Sequence, residues 1–284
     1  MAGYGTTEKL PCGILYPDAF PDGTVNLVPM GTTEEKFFSA ESLRQDVKTN
    51  RLIQGCCTNL PKGFDPLGFT IPERFWFMWV LRILSWGPAY RFSFKCTECG
   101  EKSNNTVSMK PPDPDAVPDD GSEPIGFPVL LLTPEDADKL TVTIPGEHSN
   151  APVKAGDVLT WRLLTGHDEL KIAKYAEQMR RKLKPEIIGD PEYEYRLALR
   201  LKTINEAEPT FSDKLHYVQA LRGQDLLAYR GAVESIRVGV QLEQEFECQV
   251  CGYPNGPMPL PVSRDFFLRR PDQGTDSAAG GVAG

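Results

Sequence analysis

Cys96-Thr97-Glu98-Cys99-Gly100 has a second, related copy at Cys248-Gln249-Val250-Cys251-Gly252. In each copy two residues separate the cysteines and a glycine follows at once. An aromatic residue, Phe94 or Phe246, lies two positions upstream within an alternating run that reads as a strand. A strand that delivers one thiolate, a tight turn that returns the second, and a glycine that can leave the turn with φ > 0 make a zinc knuckle. Structural zinc takes four ligands in a tetrahedron, so one knuckle supplies half a site. The three histidines, His148, His167 and His216, are far in sequence from both knuckles. The economical reading is one closed site in which Cys96, Cys99, Cys248 and Cys251 hold a structural Zn2+, two ligands coming from each end of the chain.

Other readings of the motif fit less well. A redox C-x-x-C sits at a helix N-terminus in a thioredoxin-like unit. Here a strand precedes each pair, a glycine follows, and there are two copies. A catalytic zinc needs an open coordination position, which four thiolates close.

Composition narrows the function classes. The chain has 284 residues and a formal net charge of −8, which offers no basic footprint for nucleic acid or an anionic membrane. Of its seven cysteines, three lie outside the knuckles: Cys12, Cys56 and Cys57. An odd remainder with an adjacent pair does not suggest a disulfide framework and points to a reducing compartment. These three are expected to tolerate serine. The first ten residues lack an apolar signal-peptide core. The most apolar stretch, residues 75–84, falls short of the roughly 20 residues that span a bilayer, so no membrane association is expected.

The chain reads as a helix-rich α+β mixed fold with short antiparallel strands. Residues 10–17 look extended and 25–29 look like a strand. Thr32 and Glu35 have capping-box spacing for a helix running towards Thr49, and Thr70 and Glu73 for the apolar helix that ends at Gly87. That helix is apolar nearly all round and should be buried. Together with the Phe266–Leu268 anchor, it is expected at or just beneath a protein interface, since aromatics and Met are enriched there. Residues 109–126, with prolines among aspartates and a glutamate, read as a linker or loop. Strands are expected at 127–132, 140–144 and 158–163. A helix over 165–184 should carry Leu170, Ala173, Ala176 and Met179 as its apolar stripe. A second helix, from Pro191, should carry Tyr193, Leu197, Leu201 and Ile204. Shorter helices begin near Ser212 and Asp225. Residues 237–247 form the strand into the second knuckle, and 257–261 are extended.

The expected organisation is an N-terminal region with the first knuckle (1–108), the linker (109–126) and a strand-plus-helical region (127–245). The second knuckle and anchor (246–273) and a flexible tail (274–284) complete it. No nucleophile elbow, phosphate loop, dinucleotide fingerprint or H-E-x-x-H motif occurs, so an enzyme is not expected. The alternative function class is a zinc-ribbon module that binds nucleic acid or serves transcription. Near the knuckles, however, Arg91, Lys95 and Lys102 face Glu98, Glu101, Glu243, Glu245 and Glu247.

Six segments in order resemble the baseplate hub and hub-assembly proteins of T-even-like contractile-tailed bacteriophages. They are Leu10 to Tyr16, Val28 to Glu35, Leu81 to Gly87 with the first knuckle, Arg162 to Glu169, the second knuckle, and the ending Asp265-Phe266-Phe267. The likeness runs almost end to end; the proline-rich stretch and glycine-rich tail look like additions to it, and Cys12 stands where a small serine-like residue is expected. The resemblance implies a non-enzymatic structural or assembly protein of the tail baseplate. It would be assembled in the host cytoplasm, would bind other hub subunits and could form a homo-oligomer within the baseplate.

Overall fold

The computed structural model of the chain describes residues 5–40, 42–111, 126–182, 190, 192–260 and 266. Residues 112–125 of the expected linker, Phe267 and Leu268 of the anchor, and the expected tail lie outside them, as do Lys184 and Pro191.

Strand β1 (Thr6–Lys9) pairs antiparallel with β2 (Thr24–Leu27). The segment between them, expected to be extended over 10–17, turns instead. Gly13–Leu15 is a 3-10 turn, and the chain doubles back so that a Cβ on Gly13 would meet Gly23 Cα at 2.9 Å. The single helix expected over 32–49 is two, α1 (Thr32–Ser39) and α2 (Gln45–Cys56), because Ala40 is extended. The first begins one residue earlier than the Thr32–Glu35 spacing implied: Gly31 is its N-cap, and the Gly31 N–H donates to Glu34 Oε2 at 2.9 Å. Helix α3 (Ile71–Trp86) starts as its sequence dictates. Thr70 Oγ1 accepts the Glu73 N–H, Pro72 occupies the first turn, and Gly87 leaves the helix at φ +83°.

Strands β3 (Ala89–Lys95) and β4 (Lys102–Ser108) then form a hairpin. After the short β5 (Val129–Leu130) and α4 (Pro134–Asp138) come β6 (Thr141–Thr143), β7 (Val158–Trp161) and α5 (Gly166–Lys182). Next are α6 (Tyr193–Arg200), β8 (Leu201–Ile204), α7 (Phe211–Ala220) and α8 (Gly223–Ser235). The chain closes with β9 (Gly239–Val240), which pairs with β5, and a hairpin of β10 (Glu243–Glu247) and β11 (Pro254–Pro259). The fold is thus mixed α+β with short antiparallel strands, and its widest sheet among the described residues is β6-β7-β8.

Two helix expectations change. Leu201 and Ile204 are not helical: α6 stops at Arg200 and the chain enters β8, where Leu201 pairs with Trp161 and is fully buried. In α5 the buried apolar line is Ile172 and Ala176, whereas Ala173 is exposed. Tertiary packing selects which part of an amphipathic helix is covered, and here a narrow contact suffices.

The first of two large cores, beside a small third cluster of Leu164, Ile172 and Leu199, is built around α3, whose sixteen residues include none that is exposed. Trp76, Phe77, Trp79 and Leu81 pack with Phe20, Leu27, Leu52, Ile53 and Phe69 from the N-terminal segments, and with Phe127, Phe246 and Phe266 from later ones. Trp79 lies 5.2 Å from Phe127 and 5.6 Å from Phe266, and its Nε1–H donates to Met109 O at 3.0 Å. The aromatic excess expected at or beneath an interface is therefore largely absorbed inside the chain. The second core joins Leu159, Trp161, Leu201, Tyr217, Tyr229 and Leu132, with Cys12 reaching in from the N-terminal segment.

Polar groups stitch the two cores together at the start of α3. The Thr70–Thr165 bridge and the bonds from Ile71 N to Leu164 O (2.8 Å) and Gly166 N to Phe69 O (3.1 Å) bring the two segments side by side. A Cβ on Gly166 would meet Arg74 Nε at 2.8 Å, so any larger residue at this crossing would displace the Arg74 guanidinium. Arg74, 3% exposed, donates to Asn50 Oδ1, Pro66 O and Asp46 O and pairs with Glu169 at 3.3 Å. Asp168 receives both arms of Arg162, at 2.6 and 3.0 Å. Burial would raise its carboxyl, but Arg162 and Thr165 hold it below its ordinary value.

Glu73 is wholly buried at this junction. It accepts the Cys12 N–H at 2.9 Å and the Thr70 hydroxyl at 3.4 Å, and the Tyr16 hydroxyl adds a further hydrogen bond. Burial outweighs these bonds and pushes its carboxyl up to about 7. The folded chain therefore holds this proton more tightly than the unfolded chain does. Its contribution to stability is full below the unfolded value near 4.5 and is lost as pH rises through about 7.

Two outcomes are expected from denaturant unfolding. Glu73→Gln keeps an acceptor for Cys12, so it flattens the fall in stability across this window and exceeds wild type near pH 8 by on the order of 3 kcal/mol. Trp76→Ala, at a site 2% exposed, destabilises the isolated chain itself, by roughly 3–5 kcal/mol.

Candidate metal centre

Both knuckles are built the same way. In the first, Cys96 follows directly on β3, the Cys96 N–H donates to Glu101 O at 2.9 Å, and Gly100 donates back to Cys96 O at 3.1 Å with φ +71°. In the second, Cys248 donates to Tyr253 O at 2.9 Å, and Gly252 donates to Cys248 O at 2.8 Å with φ +73°. The left-handed glycine is what lets each turn close into its second strand. Backbone N–H groups inside each turn aim at sulfur: those of Glu98 and Cys99 at Cys96, and those of Val250 and Cys251 at Cys248.

The hairpins lie side by side. Phe92 meets Phe246 edge-on at 4.8 Å, and Phe94 lies 6.2 Å from Phe246. Asn105 Nδ2 donates to Glu247 O at 3.3 Å. Packing of the inward aromatic faces thus sets the two turns against each other, and the four sulfurs converge. Cys96 Sγ is 3.8 Å from Cys251 Sγ, Cys99 Sγ is 3.8 Å from Cys248 Sγ, and all four lie within 4.8 Å of one another. Four sulfurs bound to one ion at about 2.3 Å occupy the corners of a tetrahedron with edges of about 3.8 Å. The same separation is far beyond a disulfide bond of about 2.05 Å. The four cysteines are placed to hold one metal ion.

The electrostatics agree with the geometry. Burial opposes ionisation of Cys96, but the N–H groups of Cys99 and Glu98 and the Asn255 amide bring its thiol down to about 6. Cys248 is lowered too, by the Cys251 and Val250 N–H groups working against burial. Cys99 and Cys251 each receive a backbone N–H, from Glu101 and Tyr253, yet desolvation and the neighbouring sulfurs raise both, Cys251 to about 12. The protein's own dipoles favour thiolate at two of the four, and full ionisation calls for a cation among them. One sulfur of each pair is buried, Cys96 and Cys248, and one faces solvent, Cys99 and Cys251.

All four cysteines singled out from the sequence come together, and no histidine joins them. His167 instead lies 3.3 Å from Asp65 at the surface. Cys12, Cys56 and Cys57 are buried in the cores, so their expected tolerance of serine does not follow from this packing: a hydroxyl there loses water. The sequence reading missed two residues, Ser103 and Asn255, each four positions after the second cysteine of its knuckle and nearly inaccessible. A polar side chain at an inward strand position was the available signal. Comparison of the chain with protein-family models, with curated proteins and with solved structures found no match.

Elemental analysis of the purified chain is expected to find one metal ion per chain. Cys99→Ser and Cys251→Ser should each abolish it and share one phenotype, because they open the same site. Two ions per chain, or none, would defeat the shared site. Cys12→Ser should retain the metal while costing about 1–3 kcal/mol of stability in denaturant unfolding, as a buried hydroxyl does.

Proposed function

We propose that this chain is a non-enzymatic structural or assembly component of a contractile-tail baseplate hub, stapled by one structural Zn2+. The observation that carries the reading is the convergence of four sulfurs across sequence separations of 149 and 155 residues. Four thiolates at tetrahedral spacing suit zinc and leave it no open coordination position, which favours a structural over a catalytic ion. An ion held in this way ties the N-terminal and C-terminal hairpins together as a rigid platform.

The baseplate assignment draws on the ordered resemblance of short segments along the chain. Two of them, 10–16 and 162–169, meet around the first turn of α3, where Cys12, Tyr16, Arg162 and Asp168 join the buried polar junction. The rim of the metal centre suits protein contacts better than phosphates. Val250 and Tyr253 are exposed there, 61% and 42%, among Glu98, Glu101, Glu245 and Glu247, which outnumber the exposed Lys95 and Lys102. The partners are other hub subunits, met in the host cytoplasm and retained in the virion tail or released after assembly.

Affinity capture of the tagged chain from phage-infected cells tests the reading. Baseplate proteins are expected to co-purify in fixed ratio, and Cys251→Ser is expected to reduce their yield. Capture of nucleic acid instead, with an affinity falling about 10³–10⁵-fold between roughly 50 and 200 mM salt, would favour a zinc-ribbon nucleic-acid module.

A further inference from the structure

Asn255 lies between the two knuckles, 1% exposed, with its carboxamide fully engaged. Its Oδ1 accepts both the Thr97 N–H and the Thr97 hydroxyl, each at 2.9 Å. One hydrogen of Nδ2 goes to Tyr253 O at 3.1 Å, within its own turn, and the other to Cys96 Sγ at 3.6 Å. A single side chain of the second hairpin thus grips the first knuckle at its backbone and at a candidate ligand sulfur.

Ser103 makes the reciprocal backbone contact. It is fully buried on β4, and its Oγ accepts the Gln249 N–H of the second knuckle at 2.9 Å. The two clamps occupy equivalent places. Ser103 pairs with Phe94 across its hairpin and Asn255 with Phe246, and each binds the residue that follows the first cysteine of the opposite knuckle. Only Asn255 reaches a sulfur as well.

We propose that Asn255 is the positioning residue of the metal centre: it holds the two knuckles together in the metal-free chain and orients Cys96 for the ion, with Ser103 as its reciprocal clamp. The effect on affinity rests on the zinc reading above, whereas the clamp is a property of the chain alone. Without it, aromatic packing would bring the hairpins near but the ion would have to fix the register of the two knuckles itself, and that ordering cost would come out of the binding free energy. Outer partners that orient a ligand alter metal affinity by about 10- to 100-fold. Asparagine suits both tasks. Aspartate would still accept from Thr97, but it has no N–H for the sulfur and sets a negative charge beside a thiolate. Leucine does neither.

The experiment compares full-length wild type with Asn255→Leu, Asn255→Asp and Ser103→Ala. Zinc affinity is read by competition with a chelator, and amide exchange at Thr97 and Gln249 is read in the metal-free chain. Asn255→Leu is expected to lose about 10- to 100-fold in zinc affinity and to deprotect the Thr97 amide without metal. Asn255→Asp, nearly isosteric and the deciding variant if leucine prevents folding, should keep Thr97 protected yet lose affinity. Ser103→Ala should deprotect Gln249 and weaken zinc less. Wild-type zinc affinity in Asn255→Asp, or unchanged Thr97 exchange in metal-free Asn255→Leu, overturns the assignment. A wild-type chain that takes up no zinc sinks the zinc reading, and the exchange measurement on Asn255→Leu still decides the clamp.

Discussion

Four sulfurs from opposite ends of a chain meet only if everything between them returns to its starting point, and most of this structure answers to that closure. The intervening segment leaves the first hairpin, builds the β6-β7-β8 sheet and its helices as a second core, and comes back to lay β10 beside β4. Closing so long a loop carries a large entropic cost that no single turn could offset. Phe92, Phe94 and Phe246 supply the apolar contact that brings the hairpins together. The reciprocal clamps of Ser103 and Asn255 then set the register to within the tolerance of a coordination sphere.

Helix α3 provides the wall on which both ends of the chain rest. Its first turn joins the second core through Glu73 and Arg74, its middle buries Trp76, Phe77 and Trp79, and its last turn is fastened to the first hairpin. There Arg82 donates to Gly87 O, and to Ala89 O at 2.9 Å. The helix is apolar nearly all round because it is covered by segments from many parts of the chain. Burying Glu73, Arg74 and Arg82 in the same helix is costly, and each has backbone or side-chain partners that fix how the helix is seated, the two guanidinium groups through their terminal nitrogens. Such groups add little net stability but penalise any misplaced packing, since a shifted helix would strand them without partners.

The candidate centre shows how a short motif acquires chemistry from its surroundings. A C-x-x-C-G turn by itself offers two sulfurs and a few N–H groups. Stacking two such turns back to back supplies the tetrahedral spacing, the mutual repulsion that calls for a cation, and an amide from one hairpin directed at a sulfur on the other. The rim around it is acidic and carries exposed Val250 and Tyr253, a surface of a different character from the core beneath.

The four cysteines, the knuckle turns and the strand before each were legible in the sequence, because the chemistry depends on contiguous residues and on glycine's access to positive φ. The Thr70 cap of α3, the all-round burial of that helix and the alternation of Leu159, Trp161 and Leu163 were legible for the same reason: each is a local pattern with one physical solution. Tertiary structure decided the rest. Leu201 and Ile204 fit a helical period as well as a strand, and only pairing beside Trp161 made them β8. Ala40 takes an extended backbone and splits what reads as one helix into α1 and α2, a break that no residue pattern announces. The amphipathic pattern of α5 allowed more than one buried line, and its neighbours chose Ile172 and Ala176. Ser103 and Asn255 carry no motif at all. Their roles exist only across the interface between two hairpins, a distance in space that sequence spacing does not encode.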